Sequence, residues 1–178
     1  MITIQLGDIT KLTNVDVIVN AAKKSLLGGG GVDGAIHSAA GIELFKECQT
    51  LGGCEYGEAK LTKAYQIPIK GIIHTVAPIH YDEEYAKTHN YNQNELLANC
   101  YRNCIKLAKE NNFNKIAFPA LGCGNYCWKY EDSVKIVKQV FEELKDELKD
   151  MEIILIFFEE DGYEIYKEYL KGDNYVSI

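Results

Sequence analysis

The stretch Asp16–Gly41, DVIVNAAKKSLLGGGGVDGAIHSAAG, sets the reading of the whole chain. Val17, Ile18 and Val19 read as a buried strand, Asn20 opens a polar turn, four glycines occupy 28–31, and a short helix then carries Asp33 and His37. Glycine loses more chain entropy on ordering than any other residue, so four in succession call for a compensating gain. Close approach of a ligand to bare backbone is such a gain. Amides in a glycine loop that leads into a helix N-terminus form a nest for phosphate oxygens, which makes a phosphorylated small molecule the first expectation. A flexible linker would be flanked by polar, low-complexity sequence. Here Leu26 and Leu27 precede the glycines, and Val32, Ala35, Ile36, Ala39 and Ala40 follow at helical spacing, so both ends are anchored in core.

The same run contains G-x-G-x-x-G at Gly29, Gly31 and Gly34. A dinucleotide-binding unit needs its first glycine directly after the strand and an acid at the end of a second strand about 20 residues on. Ala21 to Gly28 intervene, and the sequence around Glu55 and Glu58 is not a Val/Ile-rich strand, so that reading is set aside.

Outward from this stretch, Ile2 to Leu6 alternate as a half-buried strand does, and Gly7-Asp8-Ile9-Thr10 turns away from it. The Asp8 carboxylate suits either a cap for that turn or a ligand contact at a strand end. Glu43 to Leu51 continues the helix until Gly52-Gly53 stops it. Gly57 to Thr62 and Ile72 to Pro78 read as strands, with His74 inside an apolar run where a satisfied core or ligand-wall histidine is expected before a catalytic one. Ile79 to Tyr91 is polar, aromatic and irregular, and reads as a mobile loop.

Asn92 to Asn111 is an amphipathic helix, Lys115 to Leu121 a short buried strand, and Gly122-Cys123-Gly124-Asn125 a second glycine-bearing turn. A long helix runs from Glu131 to Leu148, a strand from Ile153 to Phe158, and a closing helix from Glu164 to Leu170, with a frayed tail beyond. Strands alternating with helices predict an α/β protein whose largely parallel sheet is covered on both faces, the Ile2 strand pairing antiparallel at an edge. Ligands of such sheets bind outside the carboxyl ends of the strands. The turns after Val19, Phe118 and Phe158 would meet there in one cleft with two backbone nests, a shape suited to a diphosphate.

At 178 residues and 47% apolar content, one domain with a sizeable core is expected. A net charge of −7 and a pI near 5.1 oppose general nucleic-acid binding, which relies on neutralising phosphates. No apolar run approaches the roughly 18 residues of a membrane span, and the start Met1-Ile-Thr-Ile-Gln lacks a signal peptide's basic segment, so a cytoplasmic protein is expected. Its six cysteines then read as reduced thiols, with Cys100 and Cys104 packing as small apolar groups. None forms C-x-x-C or has a histidine at zinc-finger spacing, so no metal is expected.

Five pieces together resemble a macrodomain, and within it the MacroD-type ADP-ribosyl hydrolases. They are Gly7-Asp8-Ile9-Thr10, Asp16-Val-Ile-Val-Asn20-Ala-Ala, Leu26-Leu-Gly-Gly-Gly-Gly-Val-Asp33-Gly-Ala-Ile-His37, Gly57-Glu-Ala-Lys-Leu-Thr62 and Ile73-His74-Thr-Val-Ala-Pro78. The resemblance covers nearly the whole chain and implies a three-layer α/β/α sandwich with a mixed, mostly parallel sheet, a single macrodomain over 1–171 and a short C-terminal tail over 172–178. By resemblance Asp8 takes the adenine amino group beside the Ile9 amide, and Asn20 contacts the distal ribose. Gly30, Gly31 and Val32 line the diphosphate, Gly122, Cys123, Gly124, Asn125 and Tyr126 hold its second side, and Phe158 stacks near the adenine or its ribose. Asp33 is the acid associated with hydrolysis and His37 supports it one turn on; the i, i+4 spacing puts both on one helix face.

The implied activity is removal of mono-ADP-ribose from acidic protein side chains, with O-acetyl-ADP-ribose as a related small substrate, by water activation at the distal ribose and without a cofactor. The alternative is a non-catalytic ADP-ribose reader, and a third class is an RNA-binding or nucleotide-phosphate-processing macrodomain. The expected partners are ADP-ribose or O-acetyl-ADP-ribose and a mono-ADP-ribosylated protein, with the chain itself a monomer. Two positions depart from the MacroD pattern. Asn20-Ala-Ala-Lys23 stands where many members read Asn-Ala-Ala-Asn, and Lys23 could pair with Asp33 or Glu43, reach the phosphate, or point to solvent. The loop Pro119-Ala-Leu-Gly-Cys-Gly-Asn-Tyr-Cys-Trp128 is closer to that of the terminal ADP-ribose glycohydrolases, whose covalent lysine Lys23 does not match in position.

Overall fold

A computed structural model describes every residue except Asp173. Seven strands form one sheet: β1 (Ile2–Leu6), β2 (Val17–Ala21), β3 (Ala59–Thr62), β4 (Gly71–Thr75), β5 (Lys115–Phe118), β6 (Glu152–Phe157) and β7 (Tyr175–Ser177), in the order β3-β4-β2-β5-β6-β1-β7. The helices are α1 (Gly31–Ala40), α2 (Ile42–Gln49), α3 (Glu83–Thr88), α4 (Gln93–Glu110), α5 (Tyr130–Glu143) and α6 (Glu160–Tyr169).

The period-2 pattern of the strands sorts the core into two layers. Val17, Val19, Ile116, Phe118, Ile153 and Leu155 pack with α4, α5 and α6, whereas Ile18, Ile72, Ala117, Ile154 and Ile156 pack with α1 and α2. Strands β2, β4, β5 and β6 are thereby buried on both faces, as their near-continuous apolar runs require. The result is the expected three-layer α/β/α sandwich. Cys100 and Cys104 are fully buried in the α4 layer, in the small apolar role their spacing suggested.

Several elements differ from the sequence reading. β1 is not an antiparallel edge strand; it lies inside the sheet, parallel to β6 on one side and to β7 on the other. The antiparallel edge is β3, paired with β4 from Ala59↔Thr75 to Thr62↔Ile72. Among the described residues of the tail, Tyr175, Val176 and Ser177 do not fray but pair with Ile2, Thr3 and Ile4. Alternation in Ile2–Leu6 reported a half-buried strand correctly but carried no information about which neighbours it has. The segment 79–91, read as an irregular loop, contains α3, capped by Asp82 through its carboxylate to the Tyr85 amide at 2.8 Å. Tyr81 and Tyr85 pack with centroids 4.2 Å apart, and Tyr85 stacks on His89 at 3.9 Å. Residues 31–51 form two helices rather than one, since Gly41 at φ +91° turns the chain between α1 and α2. α5 ends at Glu143, short of Leu148.

Candidate active site

β2 extends through Asn20 to Ala21, so Asn20 belongs to a strand and not to the polar turn expected after Val19. In a sheet covered on both faces that position is sealed, and Asn20 is fully buried. Its amide must therefore be satisfied within the protein. The Asn20 Nδ2 group donates to Asp33 Oδ1 at 2.9 Å and to His74 Nδ1 at 3.0 Å, which uses both of its protons. An accepting Nδ1 leaves the His74 proton on Nε2, from which it is donated to Thr62 Oγ1 at 2.8 Å; Thr62 in turn donates to the Lys63 carbonyl at 3.0 Å. Strands β2, β3 and β4 thus carry a chain of directed hydrogen bonds that ends on the Asp33 carboxylate. Burial, with the His37 charge as a lesser cause, pushes the His74 pKa down to about 3, so His74 works as a neutral ring.

Asp33 lies in the first turn of α1 and is 4% exposed. Its side chain does not cap the helix, as a carboxylate there often does, but turns to Asn20. Oδ2 is buried without a hydrogen-bond partner. Burial raises the Asp33 pKa above the ordinary value, against the opposing pulls of Asn20, His37 and Lys23. A carboxylate with one oxygen fixed, the other unsatisfied and a raised basicity is equipped to take a proton from water. His37 Nε2 stands 3.5 Å from Asp33 Oδ1.

The α1 N-terminus opens with Gly30 as its cap and no side-chain hydrogen bond, so the first amides remain for a ligand. Gly34 is required one turn on: a Cβ there would lie 2.4 Å from the Gly29 carbonyl oxygen, which shows how closely the glycine loop folds onto the helix. The facing turn is held by Trp128, whose ring fills the space a Cβ on Gly122 would need, at 2.6 Å from Cδ1, and whose Nε1 donates to the Pro78 carbonyl at 2.9 Å.

Between the two turns is a cavity of about 780 Å³. Asp8, Ile9, Lys23, Gly30, Gly31, Val32, Asp33, Gly122, Cys123, Gly124, Asn125, Tyr126 and Phe158 all line it, so the structure gathers nearly every residue singled out from sequence. Asn20 and His37 do not reach it; they stand behind Asp33. Asp8 serves as cap and wall together: Oδ1 accepts from the Thr10 amide at 2.9 Å and the Thr10 hydroxyl at 2.7 Å, while the residue borders the cavity. Phe158 is 75% exposed at the rim. Glu43 is taken by Lys46, and Lys23 lies along the glycine loop, its Cε 2.6 Å and its Nζ 3.0 Å from where a Gly29 Cβ would stand, a position also 3.1 Å from Asp33 Oδ2.

Sequence reasoning missed the relay through Thr62 and His74. A histidine in an otherwise apolar strand was the available signal, but only sheet order shows that Asn20 is opposite His74 and His74 opposite Lys60. It also missed that one ring nitrogen each from His37 and His74 and the Cys48 sulfur come within 4.8 Å of one another, because the three residues are far apart in sequence and sit on α1, β4 and α2.

Among known proteins, the chain is 47% identical over 165 residues to the Macro domain-containing protein CT2219 of Chlorobaculum tepidum, covering 92% of each. It is 45% identical over 170 residues to ADP-ribose glycohydrolase MACROD2 of Homo sapiens, covering 94% of this chain and 38% of that protein, so it spans little more than a third of that relative's length. A mutant of the Oceanobacillus iheyensis macrodomain solved with ADPR superposes with a TM-score of 0.85 at 41% identity, over 94% of this chain and 90% of that one. The Macro domain family model matches residues 19–137, from β2 into α5 and across both glycine-bearing turns, and the chain belongs to the Macro domain family.

Proposed function

We propose that this protein is a metal-independent ADP-ribosyl hydrolase that releases mono-ADP-ribose from acidic protein side chains and accepts O-acetyl-ADP-ribose as a small substrate. The observation that carries the reading is the unpartnered, buried Oδ2 of Asp33, a residue that borders the cavity and whose other carboxylate oxygen is fixed to Asn20. A reader module needs a grip on the diphosphate but has no use for a buried carboxylate left unsatisfied, which costs stability. The name ADP-ribose glycohydrolase of the MACROD2 relative and the ADPR in the Oceanobacillus iheyensis structure support the reaction and the ligand.

In this reading the amides of Gly30, Gly31 and Val32 and those of the Gly122–Tyr126 turn bind the two sides of the diphosphate, and Asp8 and Phe158 hold the adenosine end. The distal ribose then lies beside Asp33. Asp33 Oδ2 takes a proton from a water whose oxygen bonds to the ribose C1, the bond from C1 to the acyl oxygen breaks, and the proton passes to the departing carboxylate. The adjacent phosphate eases positive charge that develops on the ribose. Asn20 and His37 position Asp33 from behind. Lys23, which lies along the glycine loop, is read as meeting the phosphate side of the same ligand. One domain, acting as a monomer in the cytoplasm and with Tyr175–Ser177 of the tail joined to its sheet as β7, suffices for this chemistry; the six unpaired thiols fit a reducing compartment, and no helix among the described residues is long and apolar enough to cross a membrane.

The test is incubation with an auto-ADP-ribosylated acceptor modified on glutamate, followed by release of the label. Release is expected with the wild type and not with Asp33→Ala. Persistence of the label at protein excess, while calorimetry still registers ADP-ribose binding, would reduce the protein to a reader.

A further inference from the structure

We propose that His37, Cys48 and His74 form a binding site for a soft divalent cation of the zinc type, directly behind Asp33. One ring nitrogen of each histidine and the Cys48 sulfur are mutually within 4.8 Å, and the sulfur is 4.0 Å from His74 Nε2. The two ring centroids are 6.3 Å apart, tilted by 49°. With Zn–N near 2.1 Å and the ring centre about 1.1 Å beyond, two imidazoles on one tetrahedral zinc have centroids roughly 5.2 Å apart. The pair must therefore close by about 1 Å when the cation enters. Cys48 is buried in the α1–α2 core layer, and its sulfur also stands 4.0 Å from an imidazole nitrogen. Two imidazoles and a thiolate are a donor set that zinc prefers over magnesium or calcium. The three ligands stand on α1, α2 and β4, and the His37 side chain is 13% exposed.

Binding has a consequence for the carboxylate. A cation on His74 Nε2 takes the place of the proton that this nitrogen donates to Thr62, and a neutral metal-bound imidazole then carries its proton on Nδ1. Cys48 loses its thiol proton to solvent. An Nδ1–H now confronts the Asn20 Nδ2 donor at 3.0 Å, and the unpartnered Asn20 Oδ1 is the acceptor that can answer it. Once the Asn20 amide turns, Nδ2 no longer supports Asp33 Oδ1, and the acid loses its anchor. The cation is thus an inhibitor acting through Asn20.

The full reduced chain, freed of metal, is titrated with cobalt(II) alone and read by the thiolate-to-cobalt charge-transfer band in the near ultraviolet. An equimolar amount of cobalt is expected to develop the band, and zinc to bleach it. Cys48→Ser and Cys48→Ala, each checked by thermal melting, should lose the band and bind cobalt at least about tenfold more weakly, whereas Cys127→Ser, at the exposed thiol, should keep both. No band in the wild type, or a band that survives both Cys48 replacements, overturns the site. A second measurement rests on the hydrolase reading: equimolar zinc should slow release of ADP-ribose at least about tenfold in the wild type and leave Cys48→Ala unaffected. Release unslowed while the cobalt band is present overturns the coupling to Asp33, and a chain with no hydrolysis at all leaves the cobalt result standing by itself.

Discussion

The two turns that face each other across the cavity are built on different physics. The Gly28–Gly31 loop is followed by a carboxylate tied into a buried polar relay, Asp33 to Asn20 to His74 to Thr62. The Gly122–Tyr126 turn is propped by an aromatic ring, with Trp128 against Gly122 and anchored on Pro78. Behind the first turn, direction matters: each hydrogen bond fixes which atom donates, and the relay ends with an acid oxygen left for chemistry. Behind the second, a packed ring held in place by its hydrogen bond to Pro78 sets the shape. The lesson is a division of labour in which one wall carries out the reaction and the other holds the ligand.

The largest effect that would separate the walls comes from the acid. Asp33→Ala is expected to lower release of ADP-ribose by about 100-fold or more, while calorimetric affinity for free ADP-ribose stays within a fewfold and the fold persists. Unchanged release would remove Asp33 from the mechanism. On the other wall, Gly122→Ala places a Cβ 2.6 Å from Trp128 at φ +79°. That change should cost about 1–3 kcal/mol of stability in urea unfolding and weaken ADP-ribose binding, while kcat at saturating substrate is largely kept. A fall in kcat as large as the fall in affinity would erase the distinction between the walls.

The relay also predicts a pH dependence of stability. His74 has its folded pKa depressed to about 3, so the unfolded chain binds the proton more readily, and the stability contributed by the neutral ring is complete above the unfolded value near 6.5 and is lost as pH falls below it. Unfolding measured between pH 6.5 and pH 5 should show a decline of up to about 1.4 kcal/mol per pH unit from this group, and the decline should be shallower in His74→Gln. Asp33 has the opposite sign, since its raised pKa makes burial of the charged form a cost above that pKa which is relieved as pH falls. The smallest effect belongs to Lys23. Lys23→Asn should leave release equal or somewhat faster and, because Lys23 lowers the Asp33 pKa, should move the acid limb of the rate profile to higher pH. A collapse of activity would make the lysine itself necessary.

Most of the ligand-facing wall was legible in sequence because glycine, turn and capping chemistry is local: the run at 28–31, the acid two residues into the helix and the second turn at 122–126 each carry their own signal. Which strand lies beside which is not local. Ile2–Leu6 reads the same as an edge or as an interior strand, and Tyr175–Ser177 is too short to carry a pattern of its own. The polar relay depends on those neighbours, because Asn20 meets His74 only through the β2–β4 register. Asn20, for which the resemblance implies a contact with the distal ribose, has its Nδ2 turned to Asp33 and His74 by the strand that extends through it.

The placement of β1 between β6 and β7 bears on how the protein is made. Its partners begin at Glu152 and Tyr175, so β1 joins the sheet only when segments far apart in sequence have come together. Gly7, Asp8 and Ile9, which follow it directly, complete the cavity rim only then. That part of the rim therefore rests on chain closures far longer than those that set the glycine turns, and contacts of such sequence separation are the slow ones to form.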